Sequence, residues 1–399
     1  MKFSVLLPTR NRLDYLRYAV QSVRCQNYQD WEIIVSDNAS EEDIAGFVTS
    51  LGDPRIKYVR TSKFVPVTEN WNYALDKSNG DWVIMLGDDD GLMPGYFERI
   101  CDVLTRCPDP DFIYTSALFF AYPDVMPDQP QGFLRRDHNG RFSVGDPYWL
   151  KRDDAQGIAQ GYLDFRMPVA SNMQFSVISR ATIDHFRSKT GAFFKSPYPD
   201  FYATPALFLT SDRVLILPEP LVIIGITPKS YGYFHFNNQA GHGLGFLNNA
   251  ASLDADDRLA RFRLPGTSYN DSWLASNLAF HEVWAAERGL RFEPSRYRWR
   301  QIIHGYKHYY FDRSLPSGSL SDLHARMSLK EQLVAKGLAF GFTIMRALPK
   351  GFRSNLIQRL RALIGQHAIS ERNVSQHRFQ NLMEVYDAAE NGRLSDKTL

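Results

Sequence analysis

The first hundred residues alternate short runs of β-favouring residues with segments of helical periodicity. The β-favouring runs are residues 3–7, 31–35, 56–59 and 82–86, and apolar residues recur at helical spacing between residues 13 and 23. Acidic residues follow Ser40, which suits a helix that begins there. Strands that alternate with helices predict βαβ units and a parallel sheet whose two faces are covered.

The run 82–86 ends in Gly87 and then in three successive carboxylates, Asp88, Asp89 and Asp90. Like charges this close repel one another and resist removal from water, so a fold that keeps them at a strand end must place a cation there. Oxygen ligands suit Mg²⁺ or Mn²⁺, and such an ion commonly accompanies phosphates. A solvated acidic loop is the alternative interpretation.

Two other predicted strands end in polar loops, at residues 8–11 and 37–38. Ligands of open parallel sheets bind beyond the carboxyl ends of the strands, so we expect the three loops to line one crevice. In that crevice Asp37 would accept hydrogen bonds from a base or ribose, and the backbone near Pro8 would frame the base. No G-x-G-x-x-G or P-loop pattern follows the first strand, which argues against a dinucleotide site of that kind.

Three stretches, in this order and spacing, resemble the inverting family 2 glycosyltransferases, whose catalytic domain has the GT-A fold. They are VLLPTRNR, VSDNAS and NWNYALDKSNGDWVIMLGDDDGLMPGYFE. The resemblance implies an α/β GT-A domain over residues 1–238, with a Rossmann-like, mostly parallel sheet flanked by helices, and a mainly helical region over residues 239–399. It implies a UDP-sugar or similar donor, Mn²⁺ or Mg²⁺, and a hydroxyl acceptor on a glycan or a polyprenyl-linked glycan. The expected role is in the synthesis of a bacterial surface polysaccharide or glycoconjugate.

The resemblance also assigns roles to single residues. The nucleotide-binding positions are Pro8, Thr9, Arg10, Asn11, Asp37, Asn38, Asn70, Asn72 and Asp88. The family usually has Asp-x-Asp-Asp, and an alignment on Leu86 and Pro94 places Gly87 at the first Asp of that motif. Asp89 then falls at the metal-ligand position and Asp90 beside the donor sugar. A literal Asp88-x-Asp90 pairing is the alternative.

Asp200 follows Pro199 at the expected start of a helix. Inverting transfer needs one general base for the acceptor hydroxyl, and the resemblance places the family's base at a helix start in this part of the fold, which matches Asp200. Simple helix capping is the other interpretation of this residue. Asp153, Asp154 and Asp164 are rival bases in a stretch, residues 122–164, that we expect to be irregular and to receive the acceptor.

Two features beyond the last expected strands, 214–217 and 221–224, concern the donor. His235 would complete the metal site, as a histidine after the final strand does in many GT-A enzymes; a histidine packed among aromatic residues is the alternative. The glycine-rich stretch 240–246 is interpreted as a lid over the donor.

Composition limits the partners. Lys plus Arg total 46 against 44 Asp plus Glu, which gives no reason to expect a nucleic-acid partner. Three cysteines, Cys25, Cys101 and Cys107, fit neither a disulfide framework nor a zinc motif. Because the chain enters a strand at once and has no apolar run of about 20 residues, we expect a cytoplasmic protein.

Residues 333–370 lack Asp and Glu but carry six basic residues, and Phe352, Leu356, Leu360 and Ile364 would share a helix face. Such a segment predicts peripheral contact with the inner face of the cytoplasmic membrane. Packing against the catalytic domain, or against a second subunit in a homo-oligomer, is the alternative. Residues after 371 are expected to form a loosely attached helix and tail.

Two other functions compete with sugar transfer. A sugar-nucleotidyltransferase shares the sheet type and the metal carboxylates, but it favours a glycine-rich basic loop after the first strand, and residues 8–11 contain no glycine. A GT-A scaffold that has lost turnover is the second rival, and Gly87 in place of an aspartate gives it some support.

Overall fold

The computed structural model describes residues 1–126, 129–137, 139–195, 197–230, 233, 257–312, 317–349 and 378–394 of the 399-residue chain. A ten-stranded sheet forms its centre. The strands are β1 (Phe3–Thr9), β2 (Trp31–Asp37), β3 (Ile56–Arg60), β4 (Trp82–Met85), β5 (Gly91–Leu92), β6 (Phe112–Ala121), β7 (Phe133–Arg136), β8 (Tyr148–Trp149), β9 (Ser176–Ser179) and β10 (Val214–Ile226).

The strand order along the sheet is β3-β2-β1-β4-β9-β6-β10-β5, with β7 beside β6 and β8 beside β10. Strands β1 to β4 pair in parallel, and β9 runs antiparallel between β4 and β6. Since β6 and β10 pair in parallel, the carboxyl ends of β1, β2, β4, β6 and β10 all lie at one edge of the sheet. The predicted fold class, a mostly parallel sheet flanked by helices, is confirmed.

Helices cover the sheet and continue beyond it. They are α1 (Leu13–Arg24), α2 (Ile44–Ser50), α3 (Val67–Asp76), α4 (Tyr96–Arg106), α5 (Arg152–Leu163), α6 (Arg180–Thr190), α7 (Pro199–Thr210), α8 (Asp257–Ala260), α9 (Ser268–Phe280), α10 (Ser295–Tyr306), α11 (Ser317–Ala325), α12 (Leu329–Ala347) and α13 (Leu382–Glu390). One π-helical segment, His281–Ala285, extends α9, and a second, Lys307–Asp312, extends α10. In the described ranges no helix has both the length and the apolar character needed to cross a bilayer.

The helical C-terminal region packs on the sheet domain through α9. Trp273 and Leu278 of α9 share an apolar cluster with Tyr198 and Phe201 at the start of α7. Asn277 donates to the carbonyl oxygen of Tyr162 at 2.7 Å. The predicted domain boundary between residues 238 and 239 lies outside the described residues and stays a prediction.

Several expected elements differ in extent. Helix α2 begins at Ile44 and not after Ser40, because the Asp43 carboxylate accepts from the Gly46 amide and caps it there. The two strands expected at 214–217 and 221–224 are one strand, β10, with irregular pairing near Pro220. Residues 122–164 are not wholly irregular, since they contain β7, β8 and α5.

The C-terminal helix α13 corrects the expectation of a loosely attached tail. Leu382, Val385 and Tyr386 are buried at helical spacing, and the first two share a cluster with apolar side chains of β6 and β10. A Cβ on Gly91, just after the acidic run, would lie 2.5 Å from Leu382 Cδ2. Helix α13 therefore packs directly against the residue that follows Asp90.

Candidate functional site

The carboxyl edge of the sheet is where the predicted site residues meet. Thr9, Asp37 and Arg60 lie side by side at the ends of β1, β2 and β3. Asp88, Asp89 and Asp90, here called the acidic loop, follow β4 at the same edge, and all three are buried. The acidic run is therefore not a solvated loop, and the expected convergence of the strand-end loops is present.

The cation of the acidic loop within the described chain is an arginine. Arg12 is the N-terminal cap residue of α1, and its side chain is 6% exposed. Its Nη1 donates to Asp88 Oδ1 at 2.9 Å and to Asp89 Oδ2 at 3.4 Å. Burial lowers the pKa of Arg12, but the carboxylates of Asp88 and Asp89 outweigh burial and raise it above its usual value. The guanidinium therefore stays charged and offsets the repulsion between the two carboxylates.

Asp88 and Asp90 are both fully engaged with protein donors. Asp88 Oδ2 accepts from the Thr9 hydroxyl at 2.7 Å, beside the Arg12 contact on Oδ1. Asp90 accepts from the Gly225 amide at 2.8 Å, from the Gly87 amide at 3.0 Å and from Gln174 Nε2 at 2.5 Å. Burial, aided by the charge of Asp89, raises the pKa of Asp90 well above its usual range. Burial likewise raises the pKa of Asp88.

Asp89 is bonded on one side only. Its Oδ2 accepts from the Thr227 hydroxyl at 3.2 Å and from the Ser230 hydroxyl, both just beyond β10. Its Oδ1 accepts no hydrogen bond from any residue in the described ranges, and the other five carboxylate oxygens of the acidic loop each accept at least one. Asp89 thus presents one oxygen that is available to a ligand.

Two glycines allow the acidic loop to fold this tightly. A Cβ on Gly87 would lie 2.4 Å from Asp90 Oδ2. A Cβ on Gly225 would lie 1.8 Å from the backbone oxygen of Asp89, closer than any real contact. A side chain at position 87 would therefore displace the Asp90 carboxylate from its present position.

Among the three aspartates of the acidic loop, Asp89 is the one with a carboxylate oxygen left for a divalent cation by the described residues. Mg²⁺ is commonly held by one or two carboxylates together with substrate phosphates. Asp89 Oδ1 meets that requirement, whereas the oxygens of Asp88 and Asp90 are already used. This difference favours Asp89 over the Asp88-x-Asp90 pairing. No cluster of three or more histidine, cysteine or acidic side chains that could hold a metal lies within the described ranges.

Asp37 and Asn38 bind other parts of the protein. The buried carboxylate of Asp37 accepts from Tyr58 at 2.8 Å, Arg60 at 2.6 Å and the Ser40 amide at 2.8 Å. The Asn38 side chain bonds both backbone groups of Val65 at 2.9 Å. Their predicted role in nucleotide binding stays a prediction, and here they fix the loops around the crevice.

Arg10, Pro8 and Asn11 lie at the partly exposed lip of this edge. Arg10 donates to the carbonyl oxygens of Asn38 and Ala39 at 2.7 and 2.8 Å, and its guanidinium stacks 4.0 Å from the Phe64 ring centroid. Asn11 has φ +53° and accepts from the Glu41 amide at 2.7 Å. These residues form a rigid, partly exposed border to the crevice.

Asn70 and Asn72 brace the helix α3. Asn70 is buried and exchanges hydrogen bonds with the side chain and carbonyl of Ser36 at the end of β2. Asn72 donates to the carbonyl of Phe194 at 2.9 Å and accepts from its amide at 3.1 Å. The structure therefore does not bring Asn72 to the acidic loop by any contact, and both amides serve the framework.

Asp200 occupies a different environment. It is the second residue of α7, so Tyr198 and not Asp200 is the cap residue of that helix. Its Oδ1 accepts from the Phe201 amide at 3.0 Å, and the flanking Tyr198 and Phe201 pack with Phe165, Tyr269 and Trp273. Burial in these surroundings raises its pKa to about 6, although backbone hydrogen bonds act in the opposite direction. A carboxylate tuned in this way can accept a proton near neutral pH.

The rival bases are already paired or lie at the surface. Asp164 accepts from Arg296 at 2.8 Å and Asp154 from Arg141 at 3.2 Å, and Asp153 is exposed. The carboxylates of Asp164 and Asp154 are thus already occupied by an arginine. Asp200 is therefore the better suited of these carboxylates.

The segment 171–175 connects the two sites. Thr204 of α7 donates to the Ser171 carbonyl at 2.8 Å, and Gln174, three residues on, donates to Asp90. Two hydrogen bonds therefore link α7 to the acidic loop through this segment.

Sequence reasoning missed Arg12, Gln174, Thr227 and Ser230. The charge of the acidic run predicted a cation, and only a metal ion was proposed for it, although the basic residue Arg12 lies in the stretch VLLPTRNR. Gln174 and the two hydroxyls lie more than 80 residues further along the chain, and no local pattern relates them to the acidic loop. His235 and the expected lid at 240–246 lie outside the described residues.

The chain is similar to proteins of known class. The family model described as "Glycosyl transferase family 2" matches residues 4–143. A β-1,3-glucosyltransferase of Campylobacter jejuni, named for the substrate GalNAc(5)-diNAcBac-PP-undecaprenol, is 40% identical over 97 residues, which are 24% of this chain and 31% of that protein. The chain thus spans less than a third of that relative.

A second relative is aligned over a longer stretch. WcaA of Escherichia coli (strain K12), named as a colanic acid biosynthesis glycosyl transferase, is 33% identical over 243 residues, which are 58% of this chain and 79% of WcaA. Among solved structures, TarS 1-349 of S. aureus in complex with UDP superposes with a TM-score of 0.47 at 13% identity, covering 98% of this chain and 92% of TarS 1-349.

Proposed function

Because this chain belongs to glycosyl transferase family 2, we propose that it transfers a sugar, with inversion, from a nucleotide-sugar to a hydroxyl group of an acceptor. The observation that carries the proposal is the acidic loop, whose carboxylates are fixed at the carboxyl edge of the sheet with one oxygen of Asp89 left open. Parallel sheets bind their ligands at that edge. The family membership and the transferase class predicted from the sequence are confirmed.

We infer that the donor is a UDP-sugar and that the acceptor is a glycan or a polyprenyl-linked glycan of bacterial polysaccharide or glycoconjugate synthesis. The names of two relatives support this class of acceptor, since one is named for an undecaprenol-linked glycan and the other for colanic acid biosynthesis. The partly exposed border formed by Pro8, Arg10 and Asn11 would contact the nucleotide.

Family 2 enzymes generally use a divalent cation, and Asp89 is the residue that would hold Mn²⁺ or Mg²⁺ here, with His235 as the further predicted ligand. When bound, such an ion offsets the charge on the diphosphate leaving group. Thr227, Ser230 and Arg12 keep Asp89 in one orientation, so that its Oδ1 is presented without reorganisation.

Asp200 would act as the general base. It would take the proton from the acceptor hydroxyl as the hydroxyl oxygen bonds to the anomeric carbon and the bond from that carbon to the diphosphate breaks. A pKa of about 6 leaves the carboxylate ionised at neutral pH and basic enough to accept that proton.

A thermal-shift panel tests the donor assignment. UDP, GDP, CDP and dTDP are each added with Mn²⁺ and with EDTA. A nucleotide at about 100 times its dissociation constant should stabilise the protein by ~2.7 kcal/mol. A shift for UDP that EDTA removes is the expected result. No shift with any nucleotide would contradict the proposal and favour a scaffold without turnover, whereas pyrophosphate release from a sugar phosphate and a nucleoside triphosphate would indicate a nucleotidyltransferase.

A further inference from the structure

Helix α12 exposes large apolar side chains on its outer face. Leu333 is 68%, Phe340 71% and Ile344 47% exposed. At 100° per residue these three positions lie within about 40° of one another around the helix. They form an apolar stripe, here called the outer stripe, in which Gly337 lies between Leu333 and Phe340. Single exposed apolar residues are ordinary on a protein surface, whereas several on one helix face can mark an interaction site.

The opposite face of α12 is anchored to the protein. Ala335 is buried, and Leu338, Ala339 and Phe342 pack against a cluster that includes Ile302 of α10. At the helix start, Ser328 and Glu331 form a reciprocal capping box, and both Glu331 oxygens accept from Arg298 at 2.8 Å. The orientation of α12 is therefore fixed, and the outer stripe points away from the chain's own core.

Basic residues flank the outer stripe. Lys330 and Lys336 lie on its two sides, at about 60° from its centre around the helix, and both are exposed. From residue 332 to residue 370 the sequence has no Asp or Glu but six basic residues, Lys336, Arg346, Lys350, Arg353, Arg359 and Arg361. Lysines beside an apolar stripe can extend their ammonium groups to headgroups while the stripe is buried.

We propose that the outer stripe of α12 rests on an anionic lipid bilayer, with Leu333, Phe340 and Ile344 inserted at the interface and Lys330 and Lys336 at the phosphate level. A second copy of this chain is the other occupant to consider. A symmetric dimer through this face would place the lysines of both copies at one interface to which residues 332–349 bring no Asp or Glu, and like charges at an interface are unfavourable. A lipid surface of opposite charge has no such penalty.

This proposal does not depend on the proposed function, because lipid binding is measured without donor or acceptor. The full chain is floated with vesicles of phosphatidylcholine alone and with vesicles of equal parts phosphatidylcholine and phosphatidylglycerol, at low and at high salt. The expected result is binding to the anionic vesicles that weakens with salt. Absence of binding to anionic vesicles at low salt, or equal binding to both compositions, would overturn the proposal.

Variants localise the contact. Phe340→Glu should lower the partition coefficient roughly tenfold or more, and Lys330→Gln with Lys336→Gln should lower it about fivefold for each lysine on anionic vesicles only. Val144→Glu, an apolar-to-acid change at a residue 62% exposed on another surface, is the matched control and should bind as wild type. All three substituted side chains on α12 are exposed, so melting temperatures should be unchanged.

Sedimentation velocity tests the other occupant, a second copy of this chain. A dimer that Phe340→Glu abolishes, in a protein that does not bind vesicles, would overturn the lipid proposal in favour of self-association. Equal vesicle binding by Phe340→Glu and wild type would overturn the assignment to this stripe.

Discussion

The buried acidic loop and the half-buried Asp200 are two carboxylate sites that the protein surrounds with different groups. In the acidic loop, hydroxyls, amides and one guanidinium from the described ranges donate hydrogen bonds to five of the six carboxylate oxygens. Within the described ranges, the hydrogen-bond partners of Asp200 are backbone amides of its own helix turn, its neighbours are aromatic, and burial raises its pKa to about 6. The donors fix the carboxylates of the acidic loop in position, whereas few donors hold Asp200. This difference supports our proposal that the acidic loop organises charge and that Asp200 takes the proton of the acceptor hydroxyl.

The largest expected effect is on turnover at Asp200. Asp200→Asn removes the proton acceptor but keeps the shape, so sugar transfer should fall by ~10²- to 10⁴-fold with donor affinity unchanged. Asp153→Asn, the same change at an exposed aspartate, is the control and should retain full activity. Steady-state rates of nucleoside diphosphate release measure both. Full activity in Asp200→Asn would show that another group is the base.

The next effect is on the stability of the acidic loop. Arg12→Gln leaves Asp88 and Asp89 buried without their guanidinium, which should lower the free energy of unfolding by about 3 to 5 kcal/mol. Arg12→Lys should lower it less, because the ammonium keeps the charge but loses the planar fork. Urea denaturation at neutral pH measures this. Arg10→Gln is the control, since Arg10 bonds only backbone carbonyls at the partly exposed border. A loss in Arg12→Gln no larger than in the control would refute the role of Arg12.

The pH dependence of activity and of stability tests the role of Asp200. Asp200 must be ionised to accept a proton, so kcat/KM should rise about tenfold per pH unit up to an apparent pKa of about 6 and then level off. The contribution of Asp200 to the free energy of unfolding should instead decrease as pH rises. Since folding raises this pKa above 3.8, the contribution of Asp200 is fully present below that value and is lost as pH rises through about 6.

Asp200→Asn cannot ionise, so it should melt at or above the wild-type temperature at pH 8, measured by calorimetry. A variant that melts lower at that pH would mean that the Asp200 carboxylate stabilises the fold, contrary to this account.

The smallest effect concerns one donor to Asp89. Thr227→Val removes a hydroxyl that shares Asp89 Oδ2 with Ser230 and Arg12, so the loss in unfolding free energy should be about 1 kcal/mol. Thr210→Val is matched, because the Thr210 hydroxyl bonds only the Ala206 carbonyl of its own helix. The two variants are compared by urea denaturation. A loss in Thr210→Val equal to that in Thr227→Val would show that the Asp89 contact adds nothing.

The sheet domain was largely predictable from its sequence because its information is local. Runs such as Trp82–Met85 are apolar and bounded by turns, and strand ends that carry polar residues must share one edge in a parallel sheet. Strand β10 was divided into two in the prediction because Pro218 and Pro220 interrupt its pattern; the structure accommodates them with irregular pairing to β6.

The partners of the acidic residues were not predictable in the same way. The need for a cation follows from charge alone, but a guanidinium 76 residues away meets it as well as a metal would, and sequence does not separate the two. The nucleotide-binding role of Asp37 stays a prediction, but its hydrogen bonds to Tyr58 and Arg60 of the neighbouring strand were not predicted. Such contacts depend on which strands become neighbours, and a local pattern does not contain that information.

Calorimetric titration of UDP in the presence of Mn²⁺, on wild type, Asp89→Asn and Asp200→Asn, tests the division between the two carboxylate sites most directly. We expect wild type and Asp200→Asn to bind with the same affinity and Asp89→Asn to lose binding while keeping its melting temperature. Unchanged affinity in Asp89→Asn, or lost affinity in Asp200→Asn, would contradict the account.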